Sequence, residues 1–397
     1  MNTSLKHYLV VTLAYWGFTI TDGAIRMLVV LYFHRLGYSP LDIAFLFLFY
    51  EFLGVVTNLL GGWISTRLGL NTTMHLGMAL QVVALALLGG PDHWLSVPFV
   101  MGVQALSGIA KDLNKMSAKS SVKLFADSGE GLFRWVAVLT GSKNALKGFG
   151  YFAGGFLLTT LDFRGAVFAL AGSLLLVLVI TLCLLPKDLG KLKAKVNFKR
   201  IFSQSRNINT LSAARLFLFG SRDIWFVVGL PVFMIESLKW NHTAVGTFMA
   251  AWIIIYGFVQ AASPKLLRRG HGGQGPDGRT AFKLVFALAI IPGLIALALN
   301  TQLSPQWVLI GGLTCFGALF AVNSSVHSFL ILDYADAKEV ALDVGFYYMA
   351  NAAGRLIGTV LSGLLYLEYG LLGTLWASSI FLIIASLFSL RLPRGAS

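Results

Sequence analysis

Long apolar runs recur from one end of the chain to the other and constrain its fold more than any other feature. A helix needs about 20 mostly apolar residues to cross a bilayer, and an open strand cannot satisfy its backbone in lipid. Only 12% of the 397 residues are charged, against about 25% in soluble domains. The runs lie at 8–33, 42–65, 72–90, 95–117, 132–160, 164–186, 210–236, 243–263, 281–299, 305–332, 340–366 and 370–391. They predict an all-α membrane protein of twelve transmembrane helices.

Positive charge is concentrated in a few loops. The net charge of +14 would suggest a nucleic-acid partner on a soluble chain, but cytoplasmic loops of membrane proteins collect Lys and Arg. No nucleic-acid partner is therefore predicted. The basic loop residues include Arg67, Lys119, Lys123, Lys187, Lys191, Lys193, Lys195, Lys199, Arg200 and Arg206. We expect a multi-pass protein of the bacterial cytoplasmic (inner) membrane with both termini in the cytoplasm.

The chain divides near its midpoint into two similar parts. Gly54 matches Gly257 and Asn144 matches Asn351 at a shared offset of about 202–208 residues, which is typical of transporters built from internal repeats. The basic stretch 187–209 separates the two parts. We predict an N-terminal six-helix bundle over 1–186, a cytoplasmic basic linker over 187–209 and a C-terminal six-helix bundle over 210–397.

The end of the second run carries a short motif, Gly62 to Gly69 with Arg67 inside it. It resembles the loop motif of the major facilitator superfamily, in which an acidic residue stands where this chain has Thr66. The resemblance implies a fold of two six-helix halves related by pseudo-two-fold symmetry, and a gating role for Gly62, Arg67 and Gly69. Because Thr66 replaces the acid, the resemblance does not imply the charge-relay role that this loop has in the superfamily. Run 5 is similar to the glycine-rich fifth span of the superfamily's antiporters and contains Gly148, Gly150, Gly154 and Gly155.

Longer stretches resemble a narrower family, the ArsJ organoarsenical efflux permeases. These stretches are 15–30, 104–120, 140–148 and 211–220. The resemblance implies efflux of 1-arseno-3-phosphoglycerate and hence arsenate resistance. It also implies a functional pairing with glyceraldehyde-3-phosphate dehydrogenase, which makes this compound when arsenate replaces phosphate. An antiporter of another organophosphate or organic anion is the alternative.

Charged residues inside the apolar runs are the main functional signal. A charge at the bilayer centre costs about 3 kcal/mol or more unless it is paired or hydrated. The bases are Arg26, Lys111, Lys115, Lys143, Lys147, Arg215, Arg222 and Arg355, and the acids are Asp22, Glu51, Asp112 and Asp223. Eight bases against four acids leave four bases over, which predicts a small anionic organic substrate.

The lysines come in pairs that favour an anion. Lys111 and Lys115 are four residues apart, as are Lys143 and Lys147, so the members of each pair repel on one helix face unless an anion lies between them. Arg26 and Arg222 resemble the paired arginines of the superfamily's organophosphate antiporters, and an arginine fork suits phosphate. The predicted substrate-binding residues are Arg26, Lys111, Lys115, Lys143, Lys147, Arg222, Arg355, Asn144 and Asn351.

Internal salt bridges are the alternative use of these charges. Asp22 and Arg26 are four residues apart and can pair on α-helical spacing. Asp223 adjoins Arg222, so it is expected to face elsewhere and to bond another helix. Lys115 and Arg215 lie near run ends, where long side chains reach water.

Four titratable residues are candidates for proton coupling: Asp22, Glu51, Asp223 and His327. Burial moves a carboxyl pKa toward neutrality, which suits Asp22 and Glu51. A lone histidine such as His327 is more often a hydrogen-bonded packing residue than a proton carrier.

A membrane enzyme is the alternative of a different class. It requires a nucleophile and base, a metal cluster or a cofactor loop, and the sequence has none of these patterns. No catalytic residue, metal or cofactor is predicted. The expected partners are lipid, the anionic substrate and, through the functional pairing that the resemblance implies, glyceraldehyde-3-phosphate dehydrogenase; we expect a monomer. Sugar exporters use neutral hydrogen-bonding groups and cationic-drug exporters use surplus acid, so the basic excess argues against both.

Overall fold

The computed structural model describes residues 3–38, 46–125, 130–186, 205–240, 242–267, 275–336 and 339–394. These residues are almost entirely helical. The helices are α1 (Thr3–Arg35), α2 (Leu48–Leu68), α3 (Leu70–Leu88), α4 (Val97–Phe125), α5 (Glu130–Leu184), α6 (Arg206–Phe226), α7 (Gly229–Glu236), α8 (His242–Leu267), α9 (Gly278–Leu299), α10 (Pro305–Tyr334) and α11 (Val340–Ser389), with a short 3-10 helix at Asp92–Trp94. The all-α prediction is confirmed.

Two of these helices each contain two predicted spans. At 1.5 Å per residue, the 55 residues of α5 would extend about 80 Å, far beyond the roughly 30 Å hydrocarbon core. Non-helical backbone at Asp162 (φ 57°, ψ 178°) divides α5, and Gly370 (φ 60°, ψ −160°) divides α11. Helices α6 and α7 together form the seventh span. The described part of each predicted run therefore lies on a separate helical segment.

The helices are long and apolar enough for a membrane. Within the described residues, nine of them could span a bilayer by length and composition. Large apolar side chains on their outer faces are exposed, including Phe152 at 71% and Leu367 at 83%, as expected for lipid contact. Helix α4 is more polar because it carries Lys111, Asp112 and Lys115 within five residues. The chain is thus a multi-pass membrane protein.

The chain forms two compact units. Unit 1 comprises Met1–Ala126, Ser142–Phe202 and Asp336–Met349; unit 2 comprises Asp127–Gly141, Ser203–Ala335 and Ala350–Ser397. Residues 187–204 of the predicted linker lie outside the described residues. The division at 1–186, 187–209 and 210–397 stays a prediction.

Glycines allow close helix contacts inside each unit. In unit 1 a Cβ added to Gly150 of α5 would lie 2.5 Å from the Ile20 carbonyl oxygen of α1. In unit 2 a Cβ on Gly358 of α11 would lie 2.6 Å from the Gly220 carbonyl oxygen of α6. Small residues bring the backbones of membrane helices together in this way. These contacts set the spacing of the helices that carry the buried charges.

Candidate functional site

Asp22 of α1 contacts both Tyr50 of α2 and Lys147 of α5 in unit 1. The Tyr50 hydroxyl donates to Asp22 Oδ1 at 2.6 Å, and Lys147 Nζ lies 3.8 Å from Asp22 Oδ2. Asp22 is buried. The expected local pair of Asp22 with Arg26 is wrong, because tertiary packing gives Asp22 these partners from α2 and α5.

Arg26 pairs instead with a residue of α2. Its Nη2 lies 2.9 Å from Glu51 Oε1, and both side chains are only partly exposed, at 26% and 31%. The guanidinium also lies over the rings of Tyr50 and Phe47, at 4.8 and 5.2 Å from their centroids. A cation held over an aromatic face gains further stabilisation. Arg26 is therefore fixed in place, with one carboxylate beside it.

Asp112 lies close to Lys111 and Lys115, two of the four lysines of α4. Its Oδ1 lies 2.5 Å from Lys115 Nζ and its Oδ2 lies 3.7 Å from Lys111 Nζ. Lys111 also lies over Tyr50, 3.9 Å from the ring centroid. Asp112 thus offsets the repulsion between the two lysines, and their role in substrate binding stays a prediction. The expectation that Lys115 reaches water is wrong, since only 13% of its side chain is exposed.

Lys143 differs from the other buried bases of unit 1. It forms no hydrogen bond or ion pair with any residue in the described ranges. Its charged neighbours are Lys147, Lys119 and Lys115 together with Asp22. Lys143 itself is half-buried. Its neighbour Asn144 is likewise half-buried on α5.

Lys119 and Tyr348 extend this cluster and were not predicted as site residues. Lys119 donates to the Tyr348 hydroxyl at 2.6 Å, and only 7% of Lys119 is exposed. The ammonium groups of Lys115 and Lys119 lie 4.9 and 4.8 Å from the centroid of the Tyr348 ring. The assignment of Lys119 to a loop is wrong because α4 continues to Phe125. The spacing of four from Lys115 was the signal available in the sequence.

One carboxylate serves two arginines in unit 2. Asp223 Oδ1 accepts from Arg222 Nε at 2.7 Å, and Asp223 Oδ2 accepts from Arg355 Nε at 3.1 Å. Asp223 is 1% exposed. The expectation that Asp223 bonds another helix is confirmed by Arg355 of α11. The expectation that it avoids its neighbour Arg222 is wrong, because the long arginine side chain folds back to reach it.

Arg215 is an internal residue of unit 2. Its Nε donates to Asn351 Oδ1 at 2.9 Å, and its Nη1 donates to the Ser324 carbonyl oxygen at 3.3 Å. The guanidinium lies 3.8 Å from the centroid of the Phe219 ring. Only 3% of the residue is exposed, so the expectation that Arg215 reaches water is wrong. Asn351 thus has a partner within unit 2.

Helix α10 contains buried polar side chains without partners in the described ranges. They include His327, whose two ring nitrogens accept and donate nothing, and Asn323, whose amide oxygen and nitrogen are both unbonded. Both residues are fully buried. The expectation that His327 is hydrogen-bonded does not hold within these ranges.

The glycines of the motif at the end of α2 allow a close backbone contact at Gly62 and a turn at Gly69. A Cβ on Gly62 would lie 2.5 Å from the Ala341 carbonyl oxygen at the start of α11. Gly69 has φ 90° and donates its N–H to Ser65 O at 2.8 Å, a conformation that suits glycine. Arg67 is exposed and lies 4.0 Å from the centroid of the Trp63 ring. Thr66 donates to Trp63 O at 2.8 Å rather than serving as a charge.

Partly or fully buried charges in the described ranges give an excess of base in unit 1 and not in unit 2. Unit 1 has seven such bases, namely Arg26, Lys111, Lys115, Lys119, Lys123, Lys143 and Lys147, against the five acids Asp22, Glu51, Asp112, Glu339 and Asp343. Unit 2 has the three bases Arg215, Arg222 and Arg355 against the four acids Glu130, Asp223, Asp277 and Asp333. A bound anion would offset the excess in unit 1.

Solved structures with the same fold are membrane transporters. A bacterial homologue of the iron transporter ferroportin, in an outward-facing state, is 16% identical with a TM-score of 0.75 over 98% of this chain and 99% of that one. The proton:xylose symporter XylE is 12% identical with a TM-score of 0.75, covering 98% and 96%. A human organic anion transporter is 14% identical with a TM-score of 0.72, covering 98% and 100%. At these identities the likeness concerns the fold alone.

The family assignment comes from the sequence match. No curated protein matches the chain. The family model described as Major Facilitator Superfamily matches residues 8–330, which is well over half of the 397 residues. Members of this family are transporters, and the chain belongs to the Major Facilitator Superfamily.

Proposed function

We propose that this transporter exports a small, multiply charged organic anion by alternating access, and that the anion is 1-arseno-3-phosphoglycerate. The observation that carries the anionic substrate is Lys143, a lysine with no hydrogen bond or ion pair in the described ranges and with Lys147 four residues away on the same helix. Like charges at this spacing are unfavourable in a low-dielectric interior. A bound anion reverses that cost, and a dianionic group does so most effectively.

The donor chemistry supports a phosphate- or arsenate-like group. Lys115, Lys119, Lys143 and Lys147 offer N–H donors and no acceptors. Phosphate and arsenate oxygens accept hydrogen bonds, and a doubly charged group matches several ammonium groups at once. The sugar- or drug-type alternatives fit this donor set poorly.

A substrate that binds the paired bases must compete with the carboxylates that already contact them. Arg26 and Lys111 have Glu51 and Asp112 beside them, and Arg222 and Arg355 share Asp223. We propose that the substrate binds these residues by displacing their carboxylates. Substrate and protons then compete at Asp22, Glu51 and Asp223, and His327 is a further candidate for proton coupling. Asn144 and Asn351 are proposed to bind substrate as neutral hydrogen-bonding groups.

Export, arsenate resistance and location in the bacterial inner membrane with cytoplasmic termini rest on the resemblance to the ArsJ permeases. So does the supply of substrate by glyceraldehyde-3-phosphate dehydrogenase to a monomeric transporter. The same lysines would suit another organophosphate, and an antiporter of such a compound is the second candidate. The gating role proposed for the Gly62–Gly69 loop is independent of the substrate.

Everted membrane vesicles test the proposal. Glyceraldehyde 3-phosphate, NAD and purified glyceraldehyde-3-phosphate dehydrogenase are supplied outside, and uptake of labelled arsenate is compared with uptake of labelled phosphate. Arsenic should accumulate only while the dehydrogenase is active. Lys143→Gln should reduce uptake at least about tenfold, since one strong charge-assisted contact is lost. Lys283→Gln, which changes an exposed lysine of α9, is the matched control.

The outcomes separate the candidates. Uptake of phosphate-labelled product alone would replace the arsenylated substrate with an ordinary organophosphate. Uptake of free arsenate without the dehydrogenase, or of nothing, would remove the proposed substrate. Equal uptake by wild type and Lys143→Gln would remove Lys143 from the site.

A further inference from the structure

Tyr50 lies among the buried charges of unit 1 and contacts three of them. Its hydroxyl donates to Asp22 Oδ1 at 2.6 Å, and the Arg26 guanidinium and Lys111 Nζ lie 4.8 and 3.9 Å from the centroid of its ring. Helix α4 fixes its backbone, since a Cβ on Gly108 would lie 2.6 Å from the Tyr50 carbonyl oxygen. Tyr50 is only 2% exposed, so its influence on a ligand acts through the charged residues that it contacts.

Asp22 has a second potential partner that it does not use. Arg26 lies four residues further along α1, the spacing at which an acid and a base pair on one helix face. Both residues belong to the described part of the chain, and no ion pair joins them there. Asp22 instead accepts the hydrogen bond of Tyr50, with Lys147 Nζ at 3.8 Å. A carboxylate only accepts hydrogen bonds, and the phenol supplies a donor without supplying charge.

Arg26 keeps one hydrogen-bond donor unused. Glu51 Oε1 accepts from its Nη2 at 2.9 Å, but its buried Nε has no hydrogen-bond partner among the residues that the structure describes. A guanidinium binds a phosphate or carboxylate group best through two parallel N–H groups. The unused Nε is therefore open to an anion or to a further carboxylate. Asp22, about one turn away on the same helix, is the internal competitor for it.

We propose that Tyr50 is a positioning residue of the anion site: its hydroxyl holds the Asp22 carboxylate and so keeps Asp22 from neutralising Arg26. This inference rests on the proposed function, because Arg26 is assigned to the substrate there. Without the hydroxyl, Asp22 closes on Arg26 and adds a second internal carboxylate to that of Glu51. The substrate must then displace two carboxylates instead of one, and its affinity falls.

Calorimetric titration of the full-length purified protein with 3-phosphoglycerate tests this role. The compound is stable and has a carboxylate in place of the acyl arsenate. Tyr50→Phe keeps the aromatic ring but removes the hydroxyl, so the affinity should fall at least about fivefold. In an Asp22→Asn background the same substitution should change the affinity by less than about twofold, because a neutral amide does not compete for Arg26. A merely structural role of Tyr50 would not be suppressed by Asp22→Asn.

Tyr15→Phe is the matched control. Tyr15 belongs to α1 and is 2% exposed, as Tyr50 is, but its hydroxyl has no hydrogen-bond partner in the described ranges. Its removal should leave the affinity for 3-phosphoglycerate unchanged. Equal losses of affinity in Tyr50→Phe and Tyr15→Phe would overturn the proposal. So would an effect of Tyr50→Phe that is the same with and without Asp22→Asn.

Thermal unfolding without any ligand separates this inference from the proposed function. Asp22→Asn and Arg26→Gln are made singly and together, both in wild type and in Tyr50→Phe. The interaction between the two residues is the departure of the double variant's shift in Tm from the sum of the single shifts. Failure of wild type to bind 3-phosphoglycerate would count against the proposed function. The positioning role would then be supported by a larger interaction in Tyr50→Phe than in wild type, and overturned by an equal one.

Discussion

Lys119 donates a hydrogen bond to the Tyr348 hydroxyl at 2.6 Å, although the two residues are 229 positions apart in the sequence. The contact joins α4 to the start of α11 within unit 1. The ring of Tyr348 also faces Lys115, so a single phenol contacts two ammonium groups. A phenol adds no negative charge at neutral pH. It therefore positions the lysines while leaving their charge available to an anion.

Tyr348→Phe should separate these two roles. The phenyl ring keeps the cation–π contacts, but the hydrogen bond to Lys119 is lost. The free energy of unfolding should fall by about 1–2 kcal/mol, as for a hydrogen bond to a charged group. The KM for the anion should rise several-fold with little change in kcat, because Lys119 is no longer held in place. Denaturant titration in detergent and vesicle uptake measure the two effects.

Tyr15→Phe is the control for this change. Tyr15 is as buried as Tyr348, but its hydroxyl has no hydrogen-bond partner in the described residues. Its removal should leave stability unchanged or slightly increased. Equal effects of the two substitutions would show that the Lys119 contact contributes nothing specific.

Asp112→Asn should destabilise unit 1 strongly. Asp112 is 2% exposed and holds Lys111 and Lys115, which are four residues apart and repel when the carboxylate is neutralised. Breaking one side of a buried ion-pair network costs about 3–5 kcal/mol. Thermal unfolding of the purified protein measures the loss. Adding Lys115→Met should recover much of it, and a double variant no more stable than Asp112→Asn would contradict this account.

The helices were predictable from the sequence because their signal is local. Twenty apolar residues must form a helix in lipid, whatever their neighbours are. The prediction missed the extension of α4 to Phe125, because Lys119 and Lys123 look like loop residues. The packing of Tyr348 against α4 gives the buried Lys119 a hydrogen-bond acceptor from a helix that is distant in the sequence.

The ion pairs were not predictable, because helical spacing gives the face of a residue but not its partner. Asp22 and Arg26 are four residues apart and could pair. Instead Asp22 accepts a hydrogen bond from Tyr50, and Arg26 pairs with Glu51; both partners belong to α2. Likewise, four residues separate Lys111 from Lys115, and nothing in that spacing indicates that Asp112 would bridge them. The excess of base over acid expected from the sequence holds in unit 1 but not in unit 2, where Glu130, Asp277 and Asp333 add to Asp223. The proposed binding roles of the individual residues stay predictions.

Gly150→Ala should disrupt the contact between α1 and α5. The added Cβ would lie 2.5 Å from the backbone oxygen of Ile20, which cannot move without shifting its helix. Lys147 and Asp22, on the same two helices, would separate as well. Gly155→Ala is the matched control, because its nearest neighbour is Leu31 Cδ1 at 3.8 Å, an ordinary contact. Thermal unfolding should show a large loss for Gly150→Ala and a gain of up to about 1 kcal/mol for Gly155→Ala, from the better helix propensity of alanine.

Glu51→Gln should strengthen anion binding. Glu51 is the carboxylate beside Arg26, at 2.9 Å. Under the proposed function it competes with the substrate for that guanidinium. Glutamine keeps the shape and a hydrogen-bond acceptor but removes the charge, so the affinity for the anion should increase several-fold, while Arg26→Gln should lower it. Asp92→Asn removes a charge of the same sign from the exposed pair with Arg164 and should leave the affinity unchanged. Titration of 3-phosphoglycerate measures all three variants. An unchanged affinity in both Glu51→Gln and Arg26→Gln would show that this pair stabilises the fold and does not contact the substrate.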